Sequence, residues 1–265
     1  MNTDRVLNRV LNLDGVHNFR DYGGYPVSGG GRLKRGVLWR SGQHVRASDA
    51  DLERITEIGL VSVFDLRNPR ERSTHPCRRP AGFGGKVHFS DASAYAHAPH
   101  VAAARAAGER SPATMRGHLL STYKAIAFRP ELQAMTRSLI AEAAEGNGPS
   151  LVNCLAGKDR TGIAVAMVQL AAGVHHDDVI EDYLLTNTAG DSEARIAEGS
   201  ESIVAMMGPL DDASLRVLLG VEPEYLDLAF AAIGERHGSV DSYLADALGA
   251  DDAMRGKLRE ALVEG

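Results

Sequence analysis

Residues 150-SLVNCLAGKDRTGIAVAMVQL-170 place a cysteine, a lysine, an aspartate and an arginine within seven positions, between a short apolar run and a long apolar stretch. The run 150-SLVNCL-155 reads as a buried strand, and 161-TGIAVAMVQLAAG-173 is apolar almost all round, which predicts a helix packed against a sheet. A strand, a glycine-bearing loop and a helix N-terminus in succession make an anion cradle. The loop amides converge, and the helix dipole adds roughly half a positive charge. Such a cradle suits a tetrahedral oxyanion, and it also suits a thiolate, because cysteines at helix N-termini or beside cations ionise more readily. Cys154 is therefore expected to attack an electrophile held by the amides of Leu155, Ala156 and Gly157. Arg160 supplies a planar fork matched to two phosphate oxygens. A Walker-type loop does not fit, since Val152 stands where glycine is needed and Asp159 follows the lysine. A buried cysteine before a charged helix start would explain each residue singly but not their combination.

Further strands are predicted at 60-LVSVFDL-66 and 86-KVHFSD-91, and a helix at 48-SDADLERITEIG-59, capped by Ser48 and ended by Gly59. Residues 15–42 read as turns and short β segments, 92–112 as an irregular excursion, and 113–128 as a helix. From Val174 onward the pattern is helical, with no strand. Apolar strands alternating with helices predict an α/β protein with a central, mostly parallel sheet flanked by helices. We expect one domain over residues 1–265, with an α/β core at 13–190 containing the loop 154–160, a segment 191–219 outside that core, and C-terminal helices at 220–265.

The composition is that of a globular protein, 44% hydrophobic and 24% charged, and the net charge of -6 gives no global attraction to nucleic acid or anionic lipid. Against that acidity, residues 67–79 carry Arg67, Arg70, Arg72, Arg78 and Arg79 with the single acid Glu71. No run approaches the ~18 apolar residues of a membrane span, and no classical signal is present at the start. The two cysteines, Cys77 and Cys154, lack metal-ligand spacing, so we expect no metal and no cofactor, and a reducing compartment such as the cytoplasm. Export without a classical signal is left open.

The segment CLAGKDRTG resembles the Cys-X5-Arg-Ser/Thr signature of cysteine-dependent phosphatases. In its Ala-Gly-Lys-Asp-Arg form it is similar to the bacterial tyrosine-protein phosphatase family of the mycobacterial type-B kind. The segments 18-NFRDYGG-24, 39-WRSG-42, 65-DLRNPRE-71, 222-EPEYLDLAFAAI-233 and 237-HGSVDSYL-244 are also similar to that family, so the resemblance runs roughly from Leu13 to Leu248. One departure stands out: the residue before the cysteine is usually histidine, and here it is Asn153.

The resemblance implies hydrolysis of phosphotyrosine through a phosphocysteine, with dual specificity or phosphoinositide hydrolysis as the alternative within enzymes and an impaired phosphate-binding module as the alternative outside them. Phosphotyrosine proteins or phosphoinositides would be the partners. It favours a supporting role near the site for Arg20 and Asp21, which otherwise pair with each other at a turn, and a helical lid at 191–219. Thr161 is expected to donate to the departing sulfur. Lys158 is expected to point toward the pocket mouth and meet a second phosphate. Asp65, Asp91 and Arg67 lie at or near predicted strand ends, where α/β sheets bind ligands; Arg67 would meet the anion, and either aspartate is a weaker candidate acid. No Trp-Pro-Asp loop is present, because the only tryptophan, Trp39, precedes Arg40. The general acid is therefore expected to be Asp159, which nearby negative charge would make easier to protonate.

Overall fold

A computed structural model of the chain describes residues 9–92 and 110–265. The predicted irregular excursion at 92–112 lies mostly outside these residues. The strands are β1 (Arg20–Asp21), β2 (Arg32–Leu33), β3 (Leu38–Ser41), β4 (Ser62–Asp65), β5 (Lys86–Phe89), β6 (Ser150–Asn153) and β7 (Val263–Glu264). Five of them form a sheet in the order β1-β3-β6-β4-β5. Strands β3, β6, β4 and β5 run parallel, and β1 closes the edge antiparallel to β3. Every residue of β4 (SVFD) and β6 (SLVN) is buried, as expected of central strands covered on both faces.

Register determines where the chemistry can sit. Ser41 of β3 and Asp65 of β4 both pair with Asn153 of β6, so three strands end level, and Cys154 is the first residue beyond the middle one. That is the carboxyl edge of a parallel sheet, where helix N-termini and loops converge.

The helices are α1 (Asp49–Glu57), α2 (Pro69–Thr74), α3 (Pro112–Ile126), α4 (Pro130–Glu145), α5 (Asp159–Ala171), α6 (His176–Leu184), α7 (Ser192–Met207), α8 (Asp212–Leu219), α9 (Pro223–His237), α10 (Val240–Asp246) and α11 (Asp252–Leu262). Helix α1 starts where Ser48 predicts, since its side chain accepts from the amide of Asp51 while Asp51 returns the bond, and Gly59 follows at a left-handed φ of 69°. Helix α5 is buried along almost its whole length and packs among Met115, Leu119, Ile140 and Val152 in one large apolar core. It begins at Asp159, earlier than the apolar stretch alone implies. The expectation of no strand from Val174 onward is corrected by β7, which pairs antiparallel with β2 and ties the chain end to residues 32–33. Two residues are too short to leave a periodic pattern in the sequence.

Candidate active site

The loop after β6 is shaped by what its carbonyl groups meet. The Asn153 carbonyl accepts from the amide of Leu66 at 2.8 Å, and the Leu155 carbonyl from the amide of Gln43 at 3.0 Å. The Ala156 and Gly157 carbonyls accept from Nδ2 of Asn18 at 3.4 and 2.8 Å, and Gly157 accepts also from Nη2 of Arg40 at 3.1 Å. The Lys158 carbonyl accepts from the amide of Gly162 at 2.8 Å. In a trans peptide the N–H points opposite to the C=O. Donors placed outside the loop therefore turn the following amides inward, toward the axis of α5. Gly157 makes the turn possible: it sits at φ 66°, and a Cβ there would lie 2.5 Å from the backbone of Ser41.

Asn18 and Arg40 are themselves fixed. Asp182 of α6 accepts from Nη1 of Arg40 at 2.6 Å and from Nε of Arg20 at 3.5 Å, with all three side chains fully buried. Arg20 also donates to Oδ1 of Asn18, which orients the Asn18 amide toward the loop. Burial, with Arg40 close by, pulls the Arg20 guanidinium down to about 9, against the pull of Asp182. Burial alone would raise Asp182, but Arg20 and Arg40 hold its carboxyl below the ordinary value. Arg20 thus supports the loop through Asn18 and Asp182. Asp21 does not pair with Arg20. It accepts from the amides of Gly23 at 2.7 Å and Gly36 at 2.8 Å, fixing a turn.

Arg160 opens α5. Its Nη1 and Nη2 donate to the two oxygens of Glu71 at 2.7 and 3.0 Å, and Nη1 donates also to the Leu66 carbonyl at 3.0 Å. Burial works against its charge, but Glu71, Cys154 and Asp159 outweigh it, so Arg160 stays firmly protonated. Its Nε has no hydrogen-bond partner among the described residues, and neither has the fully buried hydroxyl of Thr161. Cys154 is itself buried, at 2% exposure.

Lys158 departs from expectation. It is fully buried, and its Nζ donates to Oδ1 of Asp159 at 2.6 Å instead of facing the pocket mouth. A buried ammonium needs a counter-charge, and the adjacent carboxylate provides one. The same Asp159 oxygen accepts from the hydroxyl of Tyr123 at 2.7 Å, and Tyr123 meets Tyr183 at 2.6 Å.

Asp65 and Arg67 are paired with each other at 2.7 Å, and Nδ2 of Asn153 donates to Asp65 at 3.3 Å. Burial would raise Asp65, yet Arg67 keeps it below its usual range. The third aspartate, Asp91, is 79% exposed and bonded to Arg72. Among the described residues no group of three or more His, Cys, Asp or Glu side chains is gathered for a metal ion, and no helix is long and apolar enough to cross a membrane. Glu71, Asn18, Arg40, Asp182 and Tyr123 are the site's neighbours that sequence reasoning did not assign.

The sequence profile of the tyrosine phosphatase family matches residues 11–264. The chain belongs to the tyrosine phosphatase family. Two relatives place it further. A Cupriavidus necator protein assigned by name to the tyrosine-protein phosphatases is 36% identical over 250 residues, covering 92% of this chain and 86% of the relative. The triple specificity protein phosphatase PtpB of Mycobacterium tuberculosis is 31% identical over 285 residues, covering 96% of this chain and 99% of the relative. In this phosphatase, then, the resemblance carried by CLAGKDRTG extends over nearly the whole chain.

Proposed function

We propose that the protein hydrolyses phosphotyrosine in protein substrates through a phosphocysteine. The observation that carries this reading is the loop whose Leu155, Ala156 and Gly157 carbonyls are drawn outward, with Cys154 at its start and Arg160, locked to Glu71, at its end. The inward amides and the unpartnered Nε of Arg160 would hold the equatorial oxygens of a phosphoryl group, whose negative charge they stabilise through transfer. The Cys154 sulfur attacks phosphorus in line and the phenolic oxygen leaves with a proton. Water then cleaves the S–P bond to release phosphate, and the Thr161 hydroxyl donates to the departing sulfur.

Asp159 is our candidate for the proton donor. Asp65 is locked against Arg67 at the strand end, and Asp91 lies out in solvent on Arg72, whereas Asp159 is buried at the start of α5 beside the loop, where it has to take up its proton against the pull of its ion pair with Lys158. Lys158 and Tyr123 fix its orientation. This differs from the first expectation for Lys158. With its ammonium turned inward, the support it lent to phosphoinositide hydrolysis falls away, and the name of the mycobacterial relative is the remaining pointer to more than one kind of phosphomonoester.

The test is a panel of phosphotyrosine and phosphoserine peptides and a soluble phosphoinositide, assayed with wild type and Cys154→Ser in excess chelator. The reading predicts fastest turnover on phosphotyrosine and none in the variant. Equal rates in the two proteins would defeat it.

A further inference from the structure

Helix α7 stands off from the loop across a small cavity of about 50 Å³. Leu155 and Ala156 form the loop side of this cavity, Gln43 and His17 one flank, and Arg195 and Glu198 the α7 side.

Arg195 is the unusual member. It is only 4% exposed, yet its Nη1 donates to a neutral acceptor, the Leu219 carbonyl at 2.6 Å, and its Nε has no hydrogen-bond partner among the described residues. A buried guanidinium whose hydrogen bond goes to a neutral carbonyl is costly unless an anion completes it. Burial accordingly weakens its hold on the proton, with the charges of Asp159 and Glu193 acting the other way. Glu198, in the same wall, already accepts from His17 at 3.0 Å, and it points charge of the opposite sign into the cavity.

Cys154 and residues 157–160 do not line this space. An anion on Arg195 would therefore lie beside the phosphoryl group, not in its place. His17 and Glu198 also line an open groove of about 430 Å³ that continues along α7 past Ala194, Ala197 and Glu201. A cavity leading from the loop into a surface groove has the shape needed by an extended chain; a compact head group would fill only its inner end.

We propose that the cavity and groove along α7 receive the polypeptide that carries the phosphorylated residue, and that Arg195 is a specificity-determining residue recognising an acidic side chain next to it. This rests on the phosphatase reading above.

The experiment compares kcat/KM for matched phosphotyrosine peptides with Glu or Gln at the positions flanking the phosphotyrosine. A charge-assisted bond to a buried cation predicts a preference for Glu of about tenfold or more in wild type. Arg195→Met should bring the ratio near one, Arg195→Lys should restore part of it, and Glu198→Gln should raise it by removing a competing negative charge. A ratio of one in wild type, or a ratio unchanged in Arg195→Met, overturns the assignment, and the wild-type result needs no variant to fold. So does a loss in Arg195→Met confined to a soluble phosphoinositide, which would give the cavity to a head group. Hydrolysis that survives in Cys154→Ser would instead defeat the phosphatase reading; a flat ratio with Cys154-dependent hydrolysis defeats Arg195 alone.

Discussion

Arg40 donates from Nη2 to the carbonyl oxygen of Gly157 at 3.1 Å, so the strand beside the loop holds the one residue in that loop with a left-handed backbone. The contact fixes the peptide between Gly157 and Lys158, and with it the direction of the Lys158 amide. Gly157→Ala would drive a methyl group against Ser41, 2.5 Å away, and displace that peptide. A displacement of about 1 Å in such a site costs roughly 10²-fold in rate. We expect kcat/KM to fall by about that factor with the helical signal in circular dichroism retained; a loss below threefold would mean the loop tolerates another path.

Arg160→Lys should lower kcat by about 10³-fold, because a point charge cannot keep both Glu71 contacts and also present a fork to the phosphoryl group. Steady-state kinetics beside a thermal melt decide it. Near-normal turnover would show that Arg160 is not the clamp.

Asp159→Asn should slow alkyl phosphates by about 10²–10⁴-fold and activated aryl phosphates much less, since only poor leaving groups need a proton. The alkaline limb of the pH–rate profile should vanish with it. If the limb persists in Asp159→Asn and is lost in Asp65→Asn or Asp91→Asn, the acid lies at a strand end.

Stability should depend on pH through His44. Burial, assisted by Arg79, pushes its imidazole down to about 3, so the folded protein keeps it neutral while the unfolded chain binds a proton below about 6.5. The unfolded state then holds more protons, and stability falls as pH drops from about 6.5 toward 5, by up to about 1.4 kcal/mol per unit, with His88 shifted in the same direction. Urea titrations of wild type and His44→Gln should show the slope reduced in the variant. An unchanged slope would remove His44 from the explanation.

Much of the site was legible because its chemistry is local. Cys154, Gly157, Arg160 and Thr161 sit within eight residues, and their spacing states the strand, loop and helix that hold them. The partners were not, because they come from elsewhere in the chain. Asp182 lies beyond α5 and reads as one acid on a helix, yet it neutralises part of the charge of two buried arginines. Glu71 was visible only as the lone acid in a cationic segment, although Asn68-Pro69 three residues before it was a helix-start signal. The side-chain direction of Lys158 depends on burial by the surrounding helices, which no spacing reveals. Strands β4, β5 and β6 were readable from the sequence, whereas β3 was covered only by the general reading of 15–42 as turns and short β segments, and β1, β2 and β7, of two residues each, depend on register with neighbours.

The transfer of phosphoryl to the Cys154 sulfur is open to a single measurement: acid-quenched mass spectrometry of the enzyme during turnover of an aryl phosphate. A phosphoryl group should be found on the peptide containing Cys154 in the first turnover, decay as phosphate is released, and be absent from Cys154→Ser, which should not turn over. Turnover without that adduct, or with the phosphoryl group on another side chain, would contradict the mechanism.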